Sequence, residues 1–475
     1  MRDLLLLAIL FSFILVNFRL PYFMALGYLW IDFLQPQRLG YYVFNQIPVA
    51  MILGAGAFLS FLFLDKEKKF RFSALQTLVV LLVGYMTMST YGWMVVPDGA
   101  VKLDWVTKAL LFSAFIPLVL TTRVRIEAAL AVILFSISAI TLSAGGKVLM
   151  GGGGYGSSLF LVNNNTGLYE GSTLATTSLA IVPLLWWFYK YNSFIKPSKV
   201  TFLAALGITL SMVLVTIGAE ARTGLVAMAA LAGLVWLRSK NKMISATALV
   251  LVALISIPFL PQSFTDRMST LEAVQSDQSA STRLAVWDWT LGYVAANPLG
   301  GGFNVYKINN VTIDMSKTTG EAGNTDTTSY SVQDRARAFH SSYFEMLGEQ
   351  GIPGFLLWIS IVVLVWIRSR NLVKTERKLQ KTEPEDSPLL KESEWFRTFG
   401  TAMSTTIPVY MTGSLFVGIA LQPAFYHFVA LTVAMTYLRT DQIAAARNVP
   451  VIVKRAKPGA RNPNTKLRPG ALPAE

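Results

Sequence analysis

Apolar residues in this 475-residue chain come in long, nearly uncharged blocks separated by short polar segments. Twelve blocks, at about 4–18, 47–64, 74–91, 105–120, 126–144, 172–189, 200–218, 223–237, 244–260, 352–367, 398–417 and 423–438, are each predicted to cross a bilayer as one helix. Residues 22–34 are a thirteenth apolar block. As a helix they rise only about 20 Å against a hydrocarbon core of roughly 30 Å, and are read as interfacial or re-entrant. The expected fold is an all-α polytopic membrane protein of about 12 transmembrane helices with a large, partly helical periplasmic loop. Its parts are 1–260 (about nine spans with the segment 22–34), the loop 261–351, C-terminal spans 352–438 and a disordered basic tail 439–475.

Charge decides the orientation. Only 14% of residues are charged, yet the net charge is +14. Roughly 29 of the 41 Lys and Arg residues fall in alternate short connections and the tail, which are therefore cytoplasmic, as are both termini. The basic residues set topology, and nucleic acid is not an expected partner. The segment 374–391 reads as a solvated mixed-charge loop. The chain has no cysteine and two histidines, so disulfides and thiolate metal sites are excluded and a zinc or di-iron centre is not expected, although carboxylates could still hold magnesium or calcium; no cofactor is expected.

The remaining basic residues stand on the outer face against the topological bias, and three constellations there carry chemical interest. Glu220-Ala221-Arg222 lies between two spans joined by almost no loop; Arg222 is either paired with Glu220, snorkelling to headgroups, or holding a ligand. Arg283 opens a helix, near 281–296, that bears Trp287 and leads to Gly300-Gly301-Gly302. Those glycines suit either backbone approach to a phosphate or a helix-ending turn. Arg335, Arg337 and His340 precede a helix near 340–349 carrying Glu345 and Glu349. His340 is the outer-face histidine, whereas His427, in the last span, reads as packing. Residues 309–331, rich in Thr, Ser, Gly and Asn, are read as irregular. A second outer loop, 145–171, contains Gly151 to Gly156, which follows no strand and is no dinucleotide loop.

Taken together, these stretches resemble the O-antigen ligase and polymerase superfamily. The resemblance runs over about 214–358. It rests on Arg222, on Ser281-Thr282-Arg283 with Trp287, on Pro298-Leu299-Gly300-Gly301-Gly302-Phe303, and most specifically on His340-Ser341 through Tyr343, Leu347, Glu349, Gly351, Ile352 and Gly354. Ala221 departs from the serine common before the arginine. Gly27 to Trp30 and Pro36 to Arg38 look like the O-glycosylation ligases of exosortase A systems.

The resemblance implies a glycosyltransferase of the bacterial inner membrane whose active site faces the periplasm. Its donor is a glycan on undecaprenyl pyrophosphate, and its acceptor a hydroxyl of lipid A core, a protein or another lipid-linked glycan. Arg222 and Arg283 are the expected pyrophosphate ligands, because a planar, permanently charged fork matches phosphate oxygens. His340 is expected as base or acceptor-orienting group. Arg337, Arg335, Glu220, Glu345 and Gly301 are candidate substrate-binding residues. A polymerase of lipid-linked repeats and a transporter of the same lipid are the rival readings.

Overall fold

The structure is a computed structural model, and it describes residues 2–150, 167–219, 221–256, 278–321 and 324–448. In chain order the elements are α1 (Arg2–Asn17), α2 (Phe23–Leu34), α3 (Pro36–Leu39), α4 (Val43–Gln46), α5 (Val49–Phe63), α6 (Ala74–Gly92), α7 (Gly99–Val119), α8 (Arg123–Leu149), α9 (Gly171–Tyr191), α10 (Lys199–Gly218), α11 (Arg222–Arg238) and α12 (Lys242–Ser256). Then follow α13 (Gln278–Ala296), β1 (Asn310–Glu321), β2 (Asn324–Arg335), α14 (Ser342–Thr382), α15 (Ser393–Gly413) and α16 (Pro423–Asn448). The described part of each of the twelve predicted stretches falls mainly on a helix; residues 257–260, the end of the ninth, lie outside the described residues. By length and composition, five of the described helices are able to cross a membrane: α6, α8, α9, α10 and α14. The chain is thus a helical membrane protein, but a count of twelve spans goes beyond what length and apolarity carry; α1, α5, α11 and α12 have only 15–17 residues.

Helix starts follow local chemistry. Ser73 and Gln76 form a capping box on α6, and Thr122 caps α8 through the Arg125 N–H. The short helix α2 packs against α5 and α8 with Ala25 to Ile31 and Phe33 buried. It lies inside the bundle, a placement that suits the re-entrant reading and not an element lying flat among headgroups. Within the apolar interior the Asp32 carboxylate is 2.7 Å from His427 Nε2, and His427 Nδ1 is 3.3 Å from Ser113 Oγ. This pairing fastens α2 between α7 and α16. His427 therefore does more than pack beside Phe33.

Three sequence expectations are corrected. Residues 309–331 are not irregular: β1 and β2 form an antiparallel hairpin from Asn310↔Arg335 to Glu321↔Asn324. Its base alternates, with Val311 and Ile313 buried against Val286, Val305 and Phe339, and β-branched residues favour the pleated backbone. The segment 374–391 is not a loop throughout, since α14 continues to Thr382. Glu376 is buried on that extension, with its two oxygens 2.7 and 2.5 Å from Arg439 Nε and Nη2. Nor is the tail disordered from 439, because α16 runs to Asn448; residues 449–475 lie outside those described.

The Glu376–Arg439 pair generates a stability prediction. Arg439→Met strands a carboxylate with no exposure and should cost about 3–5 kcal/mol, whereas Arg439→Met with Glu376→Met should cost much less. Denaturant unfolding in detergent checks this; equal losses in single and double variants would contradict it.

Candidate functional site

The candidate site is assembled from the ends of four helices and two connections. The turn before α11 abuts the start of α9, so closely that a Cβ on Gly171 would lie 3.1 Å from Ala219 Cβ. Arg222 is the first residue of α11, and Thr223 beside it donates its hydroxyl to the Phe416 carbonyl at 3.3 Å. The Phe416 ring lies 6.2 Å from that of Trp287, which sits one turn beyond Arg283 on α13. Trp287 in turn stacks on Phe344 at 4.7 Å and donates Nε1–H to the Phe339 carbonyl at 2.9 Å. Phe339 and Phe344 flank His340. A continuous path of contacts thus runs from the Arg222 end of α11, past the Arg283 helix, to His340.

Ser342 locks the far side. Its N–H donates to Ser414 O at 2.9 Å and its hydroxyl to Val417 O at 2.8 Å, while the Ile419 N–H donates to that hydroxyl at 2.9 Å. The connection after α15 is thereby gripped by the residue that starts α14. His340, two positions earlier, has a left-handed backbone with φ 46°, as does Ala336 with φ 57°; such angles are costly for residues with a Cβ and recur where a side chain is aimed for function.

His340 is partly exposed to solvent. Desolvation holds its pKa below the usual imidazole value; the nearby charges of Arg283 and Arg337 lower it further, and Glu170 opposes them. The imidazole is accordingly neutral near pH 7, with a free lone pair for a proton. Glu170, not anticipated from the sequence, belongs to the site. Its carboxylate caps α9 by accepting from Ser172 N at 3.0 Å and from Thr173 N and Oγ1 at 2.7 Å. The Tyr169 hydroxyl donates to Leu34 O at 2.6 Å, tying this corner to the end of α2. The available signal was an acid directly before Gly-Ser-Thr at the outer start of a span.

The other expected residues divide. Arg337 is bound to Asp334 through Nε and Nη2, and its N–H donates to Asn309 Oδ1 at 2.9 Å, so it reaches His340 from an anchored position. Arg335 closes the hairpin opposite Asn310 and is exposed. Glu220 and the glycine run 151–156 lie outside the described residues. The Gly300, Gly301 and Gly302 N–H groups donate to Asn297 O, Gly348 O and Glu349 O at 2.9, 3.1 and 2.8 Å, so these three donors are taken up in a backbone seam. Glu345 accepts from Lys102 Nζ at 2.8 Å in a buried pair. Among the described residues no three His, Asp or Glu side chains are grouped as a metal ion requires.

Titration tests this electrostatic assembly directly. With two histidines in the chain, the carbon-labelled imidazole resonance of His340 is assignable by substitution. Its midpoint should lie below about 6.5. Arg283→Gln removes a cation and should raise the midpoint; Glu170→Gln, which keeps a capping oxygen, should lower it. A wild-type midpoint above 6.5, or shifts of opposite sign, would contradict the arrangement.

Comparison with known families divides the chain in two. Residues 1–193 match the model of a family of unknown function, DUF5935, and residues 207–359 match the model of the family described as O-Antigen ligase. No curated protein matches the chain. The second match contains Arg222, Arg283, Arg335, Arg337 and His340, whereas Glu170 lies in the first. The match over residues 207–359 supports placing that segment in the O-antigen ligase-like superfamily.

Proposed function

We propose that the protein transfers a glycan from a polyprenyl-pyrophosphate donor to an acceptor hydroxyl on the periplasmic side of the bacterial inner membrane. The superfamily carries ligase or polymerase activity in general. One observation supports the specific chemistry: the charge of Arg283 acts on the His340 imidazole, which stands at the end of a contact path leading to Arg222. Cleavage of the bond between the anomeric carbon and the phosphate oxygen leaves a lipid pyrophosphate whose negative charge grows as the bond breaks. Two guanidinium groups oppose that charge at the outer ends of α11 and α13. His340 takes the proton of the attacking hydroxyl or orients it.

A lipid-linked donor also suits the membrane side of the fold. An apolar cleft of about 750 Å³ opens between α2, α5 and α7, lined by Tyr28, Ile31, Met51, Phe58, Leu111 and Phe115 among others. Gln37 also lines the cleft, and its near neighbour Leu34 accepts from Tyr169, the residue before Glu170. The proposed topology, twelve spans with both termini cytoplasmic, puts this corner outside. The likeness of Gly27 to Trp30 and Pro36 to Arg38 to O-glycosylation ligases favours a ligase over a polymerase.

The test is reconstitution with an undecaprenyl-pyrophosphate-linked single repeat, alone and with lipid A core or an acceptor protein. Transfer that needs the acceptor establishes the ligase; lengthening lipid-linked chains without it establish a polymerase. Delivery of intact donor across the bilayer, with no product, establishes a transporter. His340→Ala should lower transfer about 10²- to 10⁴-fold. Arg283→Lys keeps charge but loses the fork and should lower it about 10²-fold or more. Near-wild-type transfer by either variant would remove that residue from the reaction.

A further inference from the structure

A buried charged cluster joins α7 to the first turns of α14, the helix that follows His340. Lys102 sits in the first turn of α7, with Nζ 2.8 Å from Glu345 Oε1 and 2.9 and 2.8 Å from the two oxygens of Glu349. The side chains are 18, 12 and 1% exposed. Glu345 and Glu349 stand one turn apart on the first two turns of α14, the helix that follows His340 directly. Each carboxylate has a second tie. Glu349 accepts the Asn304 N–H at 3.0 Å and Glu345 the Ala420 N–H at 3.4 Å. The ammonium also lies 5.3 Å from the centre of the Phe303 ring. One lysine therefore joins α7, the residues after the glycine seam, the start of α14 and the connection after α15. That connection is the one gripped by Ser342 and touched by Thr223 beside Arg222.

Two carboxylates so placed repel each other and are costly to bury without a cation. Removing the ammonium would push them apart and turn the first turns of α14, and His340 moves with that turn. The matched families place the lysine and the carboxylates on opposite sides of their boundary: Lys102 lies within 1–193, and Glu345 and Glu349 within 207–359.

We propose that Lys102 is a positioning residue for glycan transfer: by clamping Glu345 and Glu349 it fixes the direction in which α14 presents His340, so the N-terminal region completes a site whose reacting groups lie in the ligase segment. This rests on the transfer reaction proposed above. An experiment with two separate readouts tests it. Lys102→Met should lower kcat for transfer about tenfold to a hundredfold, as misplacement of a reacting group does, and leave KM for the lipid-linked donor within about threefold. In the same variant the His340 imidazole resonance should shift or broaden while that of His427 stays. Lys102→Met combined with Glu345→Gln and Glu349→Gln removes the stranded charges. It should recover most of the rate and return the resonance, and it keeps the test valid if Lys102→Met alone folds poorly. Full activity in Lys102→Met overturns the proposal. So does a lost rate with an unmoved His340 resonance, or a raised KM with no recovery in the triple variant, either of which assigns the ammonium to substrate. If the wild-type protein transfers no glycan, the spectroscopic readout still decides whether Lys102 sets His340, and only the transfer reading falls.

Discussion

The arrangement of this protein depends on one break in one helix. At Gly351 the backbone of α14 turns to φ 62°, and the helical ladder is interrupted. Backbone groups freed there need partners inside the protein. The glycine turn before the hairpin supplies them: Gly301 and Gly302 donate to the carbonyls of Gly348 and Glu349, and Ile352 donates to Pro298 O. The two backbones lie so close that a Cβ on Gly351 would stand 2.3 Å from Pro298 O. No side chain fits in that seam. It joins the end of α13, which carries Arg283, to the start of α14, which follows His340.

Charge is distributed around that seam in two shells of different kind. On the solvent side, Arg283, Arg337, Glu170 and His340 are partly open, and the proposed transfer assigns ligand contact to this group. On the inner side, Lys102, Glu345 and Glu349 saturate one another and offer little to a substrate. The inner shell has the stronger geometry and the outer shell the chemistry. Such a division suits a transferase, whose reacting groups need preorganisation by neighbours that do not themselves react.

Sequence made the arginines and His340 legible because they violate an expectation: basic residues on the outer face of a membrane protein oppose the topological bias. Glu170 and Lys102 violate nothing locally. One reads as a helix cap, the other as a residue flanking a span, and the contact from Lys102 to Glu345 crosses 243 positions. The glycine turn shows the opposite failure. Its local pattern fits both a phosphate cradle and a backbone seam, and only the neighbouring carbonyls of 348 and 349 choose between them. The hairpin escaped because two buried apolar positions, Val311 and Ile313, are too few to stand out in a polar segment. The described parts of the twelve apolar stretches proved mainly helical, since burial of backbone groups leaves apolar runs of that length no other economical form.

The Asp32–His427 contact has a practical side. It buries one of the chain's two histidines, at 1% exposure, and leaves His340 as the exposed one. A water-soluble electrophile that acylates neutral imidazoles therefore meets one accessible histidine in this protein.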